Sequence, residues 1–367
     1  MKAGLFPPFK WGNMIAILGT GSIAHSHVNA IRCAGKEVGL VVNPHVEAAK
    51  TFAENYGIKK YSAEFDELLG DEVETVHICT PANLHYEEVK ALLTAGKNVL
   101  CEKPLCLSFA ESKELAEISS KLDSVTAIDL NVRYNPACRS AKEMVQSDDF
   151  GALMLMHGEY LQEFELLPTA YTWRYDEKKA GKMRAVTEIG SHLVDLMYFV
   201  SGQKIVRLSA CFNRIQKDRV IKDGMMYDAS IESGDEFKVD SEDSAIVTYQ
   251  LENGVFGSFV LSEVSSGHMN TIKLELAGSK KDVSWNSDEA TKLNFASKGN
   301  PVNTINFAFG NNGFNDSIIE LVKDFYMSVD GKESSNVLPS FEDGAYLSRI
   351  CEAIYESAHN DAKWVNI

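Results

Sequence analysis

Short apolar runs alternate with amphipathic stretches along the first third of the chain. Met14–Leu18 contains no polar residue, which is typical of a strand buried on both faces of a sheet. Four further runs are similarly rich in apolar residues: Val38–Val42, Val73–Cys79, Val99–Cys101 and Val125–Leu130. The stretches between them have the apolar spacing of helices. Strands that alternate with helices in this way predict an α/β domain with a doubly wound parallel sheet.

The pattern changes after about residue 151, where most segments alternate apolar and polar positions and are rich in β-forming residues. These segments predict strands at Leu153–Tyr160, Ile205–Phe212, Ser244–Gln250, Val255–Leu261 and Thr271–Ala277. Asn253-Gly254 is a typical hairpin turn between two of them. The sequence therefore predicts a second, α+β domain with a mostly antiparallel sheet. We place the two domains at residues 1–134 and 135–367.

Three further elements are expected in the second domain. A helix is expected around Gly190–Val200, ended by Gly202. Two amphipathic helices are expected at Phe314–Val329 and Glu342–Ala358. The polar and charged stretch Asp218–Asp240 is expected to be a long surface loop.

Composition and charge exclude several classes of partner. The hydrophobic content of 45% and the charged content of 24% are those of an ordinary globular protein. The net charge of −16 argues against nucleic acid and against an anionic membrane surface, because neither would attract the chain electrostatically. No run approaches the roughly 18 apolar residues of a membrane span.

The seven cysteines are scattered and include no Cys-x-x-Cys pair. This pattern is typical of reduced thiols in the cytosol rather than of a disulfide framework or a zinc site. Met1–Asn13 lacks the apolar core of an export signal. We therefore expect a cytoplasmic protein.

The sequence Gly19-x-Gly21-x-x-Ala24, between the first strand and the first helix, is the pattern of a dinucleotide-binding loop. The first glycine permits a tight turn, the second lets the backbone approach a pyrophosphate, and the small third residue lets the helix pack on its strand. The helix N-terminus adds free N–H groups and a positive dipole end. A purely structural turn is the alternative, but the position in the first strand–helix unit favours a nucleotide.

Asn43 follows the second strand, where an acidic residue would bind the ribose hydroxyls of NAD. Asparagine can still hydrogen-bond a hydroxyl group, but it does not repel the 2′-phosphate of NADP. No arginine follows in Pro44-His45-Val46 to bind that phosphate. NAD is therefore favoured, and NADP stays open.

Two more loops follow strands at the edge of the sheet where ligands bind in open α/β folds. The segment Cys79–His85 would lie against the dinucleotide, with Asn83 as the N-cap of the next helix. A plain strand–turn–helix connection explains Asn83 about as well. It does not explain Glu102-Lys103-Pro104 after the next strand, where a solvated charge would be out of place. Lys103 is therefore a candidate site residue.

Glu188, His192 and Asp195 form the other dense polar cluster. On a helix, Glu188 and His192 lie one turn apart and Asp195 lies three residues further on, so that all three can share a face. A histidine oriented by carboxylates suits a general acid–base role. A metal site and a hydrogen-bonded core histidine are the alternatives. No second histidine at ligand spacing supports the metal.

The aromatic segment Tyr171–Tyr175 precedes that helix and contains Trp173 and Arg174. Aromatic faces and an arginine fork suit a sugar ring or a carboxylate. Aromatic residues that pack back on their own domain are an equal alternative.

Together these motifs resemble the Gfo/Idh/MocA family, the glucose–fructose oxidoreductase and inositol dehydrogenase group, over most of the chain. The resemblance is carried by Gly19–Ala24, Thr80–His85, Glu102–Pro104, Asn131–Tyr134, Ile189–His192 with Asp195, and Phe341–Gly344. Two longer segments are similar to a subgroup acting on free sugars and anhydrosugars: Leu161–His192 and Ser262–Trp285.

The resemblance implies a Rossmann domain followed by a C-terminal domain with a large open sheet, which often forms an oligomer interface in the family. It implies reversible hydride transfer between NAD(P) and a hydroxyl group of a sugar, anhydrosugar or polyol, by a homodimer or homotetramer. The family lysine maps to Lys103 and its histidine to His192. The chain departs from the family at Asn43 and at Glu188, which stands where many members have an aspartate.

The implied site residues fall into three groups, and no metal is implied. Catalysis is implied for Lys103, His192 and Glu188. Cofactor binding is implied for Gly19, Gly21, Ser22, Ile23, Asn43, Thr80, Pro81, Asn83, His85, Glu102 and Lys103. Substrate binding is implied for Lys103, Arg133, Trp173, Arg174, Glu188 and His192.

Oxidising an alcohol needs a base for the hydroxyl proton and an acceptor for the hydride. His192 would take the proton and Lys103 would stabilise the developing alkoxide, although which of them is the primary base stays open. Two other functions also stay open: an NAD-dependent glycosidase with no net redox change, and a non-enzymatic sensor of a nucleotide or sugar. Intact Lys103 and His192 argue against the sensor, which needs neither.

Overall fold

The computed structural model describes residues 13–307, 314–332, 335 and 337–367. It forms two compact units. The first comprises residues 13–106, Ala110–Asp129 and the described part of Ile318–Gly344. The second comprises Leu107–Phe109, the described part of Leu130–Ser317, and Ala345–Ile367. The sequence did not anticipate the return of residues 318–344 to the first unit. Residues 1–12, where no export signal is expected, lie outside the described residues.

The first unit contains the parallel sheet that the sequence predicts, and six strands of the described chain build it. The strands are β1 Met14–Leu18, β2 Val38–Val42, β3 Lys60–Ser62, β4 Val73–Ile78, β5 Asn98–Cys101 and β6 Thr126–Ile128. The α-helices between them are α1 Ser22–Cys33, α2 Val46–Tyr56, α3 Ala82–Thr94 and α4 Phe109–Ser119, with a 3₁₀-helix at Phe65–Leu69.

The strand order is β3-β2-β1-β4-β5-β6, with every neighbouring pair parallel. The apolar strands are buried on both faces, as at Ile17 and Val76, which have no exposed surface. The order reverses between β1 and β4. In such sheets ligands bind at the carboxyl ends of the strands beside this reversal. The loops after β1, β4 and β5 all begin at that edge.

The second unit contains the larger sheet. The strands of this sheet are β7 Leu153–Leu161, β9 Ile205–Asn213, β13 Ser244–Leu251, β14 Phe256–Ser262, β15 Thr271–Gly278, β16 Asp282–Asn286, β17 Lys292–Ala296, β18 Asn303–Asn306 and β19 Val365–Asn366. The strands of a second, smaller sheet are β8 Thr169–Ala170, β10 Asp218–Lys222, β11 Met225–Asp228 and β12 Asp235–Lys238. The second unit also contains the α-helices α5 Pro136–Val145, α6 Glu177–Ala180 and α7 Ser191–Ser201. Of the two later α-helices, most of α8 Phe314–Val329 belongs to the first unit and most of α9 Phe341–Ala358 to the second. Single turns of other helix types lie at Asn131–Tyr134, Trp173–Tyr175, Val186–Gly190 and Ser287–Glu289.

The large sheet has the order β18-β17-β16-β15-β7-β14-β13-β9-β19 within the described residues. It is antiparallel except where β7 and β14 run parallel, which confirms a mostly antiparallel sheet. Val247, Tyr249 and Phe259 are buried on one face. Ile246 and Val260, which alternate with them along the strands, are exposed on the other face.

The prediction of a surface loop over Asp218–Asp240 is wrong. This segment forms β10, β11 and β12, which make a small antiparallel sheet in the order β12-β10-β11-β8. The charged residues of the segment suggested exposure to solvent, but Arg219 is only 1% exposed and binds other side chains. Charge that is paired inside a sheet has the same sequence signature as charge on a surface loop.

Among the described residues, none of the helices combines the length with the apolar character needed to cross a bilayer.

Candidate functional site

The glycine loop between β1 and α1 has the geometry that its sequence predicts. Gly19 has a positive φ of 97°, and a Cβ atom there would lie 2.6 Å from the carbonyl oxygen of Cys79, so a side chain does not fit. Gly21 is the N-cap of α1 and is exposed, and a Cβ atom there would meet nothing within 4 Å. The exposed Ser22 and the half-buried Ile23 open the first turn. This open helix N-terminus fits the pyrophosphate of a dinucleotide.

Asn43, directly after β2, binds the glycine loop with its side chain. Its Nδ2 donates to Thr20 Oγ1 at 2.8 Å, and its Oδ1 accepts from the backbone N–H of His45 at 2.8 Å. The residue therefore joins the loop after β1 to the start of α2. Its role at the ribose stays a prediction.

The loop after β4 contains Thr80 and Pro81 and leads into α3. Thr80 Oγ1 donates to Glu88 Oε2 at 2.5 Å. Burial raises the pKa of Glu88 to about 7, against the lowering effect of this hydrogen bond. The prediction that Asn83 is the N-cap is wrong. The helix begins at Ala82 with Pro81 as its N-cap, and Asn83 is an exposed residue of the first turn. The backbone of Pro81 is extended at this N-cap position, and no side chain caps the first turn of α3.

His85 connects the loop after β4 to the loop after β5. Its Nε2 lies 2.9 Å from the carbonyl oxygen of Thr80, and its Nδ1 lies 2.9 Å from that of Pro104. The ring is buried, and burial lowers the pKa of His85 although both carbonyl contacts favour the charged form. In this position His85 fixes the two loops to each other. A direct contact with the cofactor stays a prediction.

Glu102 and Lys103 follow β5 at the carboxyl edge of the sheet. Glu102 is only 8% exposed, whereas Lys103 is half-buried. The backbone N–H of Lys103 donates to Glu102 Oε2 at 3.2 Å. Lys103 therefore lies at the edge of the sheet where ligands bind in open α/β folds, and its role in the site stays a prediction.

His27 and Asp129 lie beside Glu102 and were not predicted from the sequence. His27 Nε2 in α1 lies 2.9 Å from Glu102 Oε1 and 3.7 Å from Asp129 Oδ2, and all three residues are buried. A histidine among the apolar positions of α1 was the available signal. Its spacing from Glu102 along the chain gives no hint of the contact.

In the second unit, Glu188 and His192 lie on either side of a change in helix type. Glu188 is in the π-helical turn Val186–Gly190, and His192 is the second residue of α7. A Cβ atom on Gly190 would lie 2.6 Å from a methyl group of Leu261, so the turn approaches β14 closely. His192 is 4% exposed, and its ring centroid lies 6.5 Å from that of Tyr160. Such π-turns are frequent at functional sites.

Arg133 and Asp195 form a buried ion pair. Arg133 Nε donates to Asp195 Oδ2 at 3.0 Å, and a second contact joins Arg133 Nη2 to Asp195 Oδ1. The guanidinium of Arg133 also lies 5.2 Å from the ring centroid of Phe199. Asp195, expected beside His192 on one helix face, binds Arg133 of the Asn131–Tyr134 turn. Substrate binding by Arg133 stays a prediction.

Trp173 and Arg174 lie in a short 3₁₀-helix, and the side chain of Arg174 binds Glu188. Arg174 Nε donates to Glu188 Oε2 at 2.9 Å, and the guanidinium lies 5.3 Å from the ring centroid of Trp173. Trp173, Arg174 and Glu188, all predicted to bind the substrate, are thus neighbours within the second unit. The sequence placed Glu188 beside His192 but not beside Arg174.

A buried cluster of charges behind these residues was also missed. The ring of Tyr175 has the guanidinium carbons of Arg184 and Arg219 at 4.7 and 4.9 Å from its centroid. Its hydroxyl donates to Glu165 and accepts from Arg219 Nη1 at 2.9 Å. The carboxylates that bind the two arginines are Asp243 and Glu263. Tyr175 is adjacent in sequence to Arg174, so this cluster fixes the end of the 3₁₀-helix.

Comparison with protein families matches both halves of the chain. The Gfo/Idh/MocA model described as an oxidoreductase family with an NAD-binding Rossmann fold matches residues 14–129. The model of the Gfo/Idh/MocA C-terminal domain matches residues 138–284.

Individual proteins are similar over most of the chain. Levoglucosan dehydrogenase of Pseudarthrobacter phenanthrenivorans is 25% identical over 352 residues, which cover 89% of this chain and 89% of that protein. 1,5-Anhydro-D-fructose reductase of Ensifer adhaerens is 26% identical over 270 residues, which cover 70% of this chain and 78% of that protein. The structure of levoglucosan dehydrogenase in complex with NADH and L-sorbose has a TM-score of 0.88 at 24% identity, covering 97% of this chain and 98% of that one. At this identity the structural likeness shows the fold.

Proposed function

Because this chain belongs to the Gfo/Idh/MocA family of NAD-binding oxidoreductases, we propose that it transfers a hydride between NAD and one hydroxyl-bearing carbon of a sugar, an anhydrosugar or a polyol. The observation that carries the proposal is the open glycine loop at the same sheet edge as Lys103. The similarity to proteins named for levoglucosan and 1,5-anhydro-D-fructose supports an anhydrosugar as the first substrate to test.

The first unit supplies the cofactor side of the proposed mechanism. The backbone N–H groups at Gly21, Ser22 and Ile23 would bind the pyrophosphate, and Asn43 would bind the adenine ribose. The loops of Thr80, Pro81, Asn83 and His85, and of Glu102 and Lys103, would flank the dinucleotide. Bound NAD⁺ supplies the hydride acceptor.

The chain's own residues handle the proton and the substrate. We assign the hydroxyl proton to His192 and stabilisation of the developing alkoxide to the ammonium of Lys103. Glu188, with Trp173 and Arg174 beside it, would bind the remaining hydroxyl groups of the substrate. Glu188 accepts a hydrogen bond from Arg174 Nε at 2.9 Å, which orients its carboxylate.

A panel of free sugars, anhydrosugars and polyols, assayed by NADH and NADPH absorbance, tests the proposal. We expect NADH to accumulate with at least one substrate and at a higher rate than NADPH. Cleavage of a glycoside without accumulation of NADH would instead support the glycosidase alternative. Tight NAD binding with no turnover of any compound would support the sensor.

The exposed face of the large sheet supports a homodimer or homotetramer. Five apolar side chains on this face are between 38% and 50% exposed: Leu155, Ile246, Phe256, Val260 and Trp364. An apolar patch of this kind is typical of an interface between subunits. A cytoplasmic location is also proposed, and it is supported by the seven cysteines, all of which are unpaired by disulfides.

A further inference from the structure

A row of buried polar side chains runs through the first unit beneath the Glu102-Lys103 loop. Tyr326 Oη lies 2.9 Å from His77 Nε2, His77 Nδ1 lies 2.8 Å from His27 Nδ1, and His27 Nε2 lies 2.9 Å from Glu102 Oε1. Tyr326 is 3% exposed, and the two histidines are fully buried. Polar groups this deeply buried destabilise the fold unless each has a hydrogen-bond partner. Here they satisfy one another in sequence.

The donor and acceptor roles along the row are determined once Glu102 is ionised. A carboxylate only accepts, so His27 carries its proton on Nε2 and accepts at Nδ1. His77 therefore donates from Nδ1 and accepts at Nε2, and the hydroxyl of Tyr326 donates. Burial lowers the pKa of both histidines, which keeps them neutral as this arrangement requires.

Asp129 lies beside the Glu102 end of the row, and the two carboxyl groups together carry one negative charge. Burial and the negative charge of Glu102 raise the pKa of Asp129 well above its usual range. Two neighbouring buried carboxyl groups with one proton between them carry a single negative charge. The raised pKa of Asp129 places the shared proton on Asp129 and leaves Glu102 ionised. His27 Nε2 lies 2.9 Å from Glu102 and 3.7 Å from Asp129, so the histidine is hydrogen-bonded to the ionised member. The positive charge of Lys103 acts on Asp129 in the opposite sense and lowers its pKa.

We propose that Tyr326, His77 and His27 are positioning residues that hold the carboxylate of Glu102 in place and, through its hydrogen bond to the backbone N–H of Lys103, fix the loop that carries Lys103. The inference rests on the catalytic role proposed above for Lys103. That carboxylate accepts from the backbone N–H of Lys103 at 3.2 Å, so its position determines where the loop begins.

A metal ion is the competing explanation for this cluster, because the ligating atoms of His27, Glu102 and Asp129 lie within 4.8 Å of one another. The direct hydrogen bond between His27 and Glu102 uses the lone pairs that an ion would need. Other ionisable groups surround the row and act on its members. Those near the carboxyl pair are Cys79 and Cys101, on which Glu88 also acts, and Cys106 acts on Cys101. Those near Tyr326 are Glu74, Asp330 and Lys36.

Amine labelling tests the proposal without any need for turnover. The protein is treated briefly with acetic anhydride at pH 8, and the acetylation rate of Lys103 is measured by mass spectrometry against the exposed Lys59 in the same sample. In H27F, Glu102 loses its donor and holds the start of the loop less firmly, so the Lys103 amine should become more accessible and react about tenfold faster. In Y326F, which breaks only the far end of the row, we expect a rise of about threefold.

Y249F is the matched control, since it also removes one buried tyrosine hydroxyl, which donates to the carbonyl oxygen of Met156 in the second unit. It should leave the relative rate at Lys103 unchanged. An unchanged rate in both H27F and Y326F would overturn the proposal, and Y326F alone decides if H27F does not fold.

The protonation of the two rings gives a second, spectroscopic readout. In ¹⁵N NMR spectra of the wild-type protein at pH 7, we expect His27 to be protonated at Nε2 and His77 at Nδ1. The opposite tautomers would overturn the proposal. Failure of the sugar panel would refute the proposed reaction, whereas these two measurements judge the buried row independently of it.

Discussion

Lys103 and His192 are the residues on which the proposed chemistry depends most directly. Replacing either with alanine should lower kcat by about 10²–10⁴-fold, because the alkoxide loses its stabilising charge or the proton loses its acceptor. The Kd of NAD⁺ should change little in both variants, which can be measured by the quenching of protein fluorescence. K59A, at an exposed lysine of the first unit, is the control. Near-normal turnover in both K103A and H192A would refute the site assignment.

Glu88 makes the stability of the first unit depend on pH. Its pKa of about 7 in the folded protein lies above its ordinary value, because burial disfavours the carboxylate. The folded state therefore binds this proton more tightly than the unfolded state, and the stabilisation is complete below about pH 4.5 and lost as pH rises through 7. E88Q keeps an acceptor for Thr80 but cannot titrate.

Urea unfolding at pH 5 and pH 8 measures this effect. Relative to wild type, E88Q should gain up to about 3 kcal/mol in its free energy of unfolding between the two values. E87Q, at the exposed neighbouring position, should follow the wild type. The same pH dependence in E88Q and wild type would contradict the prediction.

Sequence alone predicted some residue roles and missed those that depend on distant contacts. Gly19 was predictable because its positive φ and its close approach to Cys79 follow from one local motif. Asn135 followed by Pro136 is likewise a local pattern, that of a helix N-cap, and its side chain accepts from the backbone N–H of Ala137 at 2.8 Å. His27 was missed because its partner Glu102 lies 75 residues further along the chain. Nothing local distinguishes it from an ordinary buried histidine.

At the scale of elements, the 3₁₀-helix Trp173–Tyr175 is held in place by the buried charges around Tyr175. Y175F removes the hydroxyl that binds Glu165 and Arg219 and leaves the ring between the two guanidinium groups. Arg174 and Trp173 should then be positioned less precisely for the substrate. We expect KM for the sugar to rise about tenfold, since hydrogen bonds to charged groups contribute about 1.5–3 kcal/mol, while the Kd of NAD⁺ stays the same.

Steady-state kinetics with the best substrate of the panel measure this change. Y171F is the matched control, because Tyr171 belongs to the same segment and is exposed. Equal KM values in Y175F and wild type would mean that the cluster stabilises the fold without positioning the substrate-binding residues.

The sequence predicted elements well where their signal was local and poorly where partners came from elsewhere. The helix Phe314–Val329 and the strand Met14–Leu18 have the predicted bounds, because their apolar spacing is strong and uninterrupted. The strands β10, β11 and β12 were missed because the segment is rich in charge, whereas Arg219 is buried and pairs with Asp243, which lies outside the segment. The parallel pairing of β7 with β14 was equally unpredictable, since it joins strands that are far apart in the chain.

At the scale of the whole molecule, the open face of the large sheet is the surface on which the proposed oligomer depends. Ile246 and Val260 face each other on neighbouring strands and are 50% and 38% exposed. The double variant I246K/V260K places two like charges in this apolar patch, which should dissociate the oligomer because buried unpaired charge is strongly unfavourable. Light scattering coupled to gel filtration should show a lower mass than for wild type.

I231K is the control, because Ile231 is 85% exposed and lies in a turn after β11. Its mass should equal that of wild type. An unchanged mass in I246K/V260K would mean that the subunits associate through another surface, or that the protein is monomeric.

The return of residues 318–344 to the first unit determines when that unit can be completed during synthesis. The backbone N–H of Ile128 donates to the carbonyl oxygen of Pro339, and Lys36 pairs with Asp330. Residues from the last fifth of the chain therefore complete a unit whose other residues all come from the first 130. Roughly 190 residues separate Asp129 from Ile318. At about 5–20 residues per second, a ribosome takes roughly 10–40 s to bridge that gap. During this interval the nascent sheet has left the ribosome without Tyr326 to bind His77, and a chaperone that shields it would act in this window.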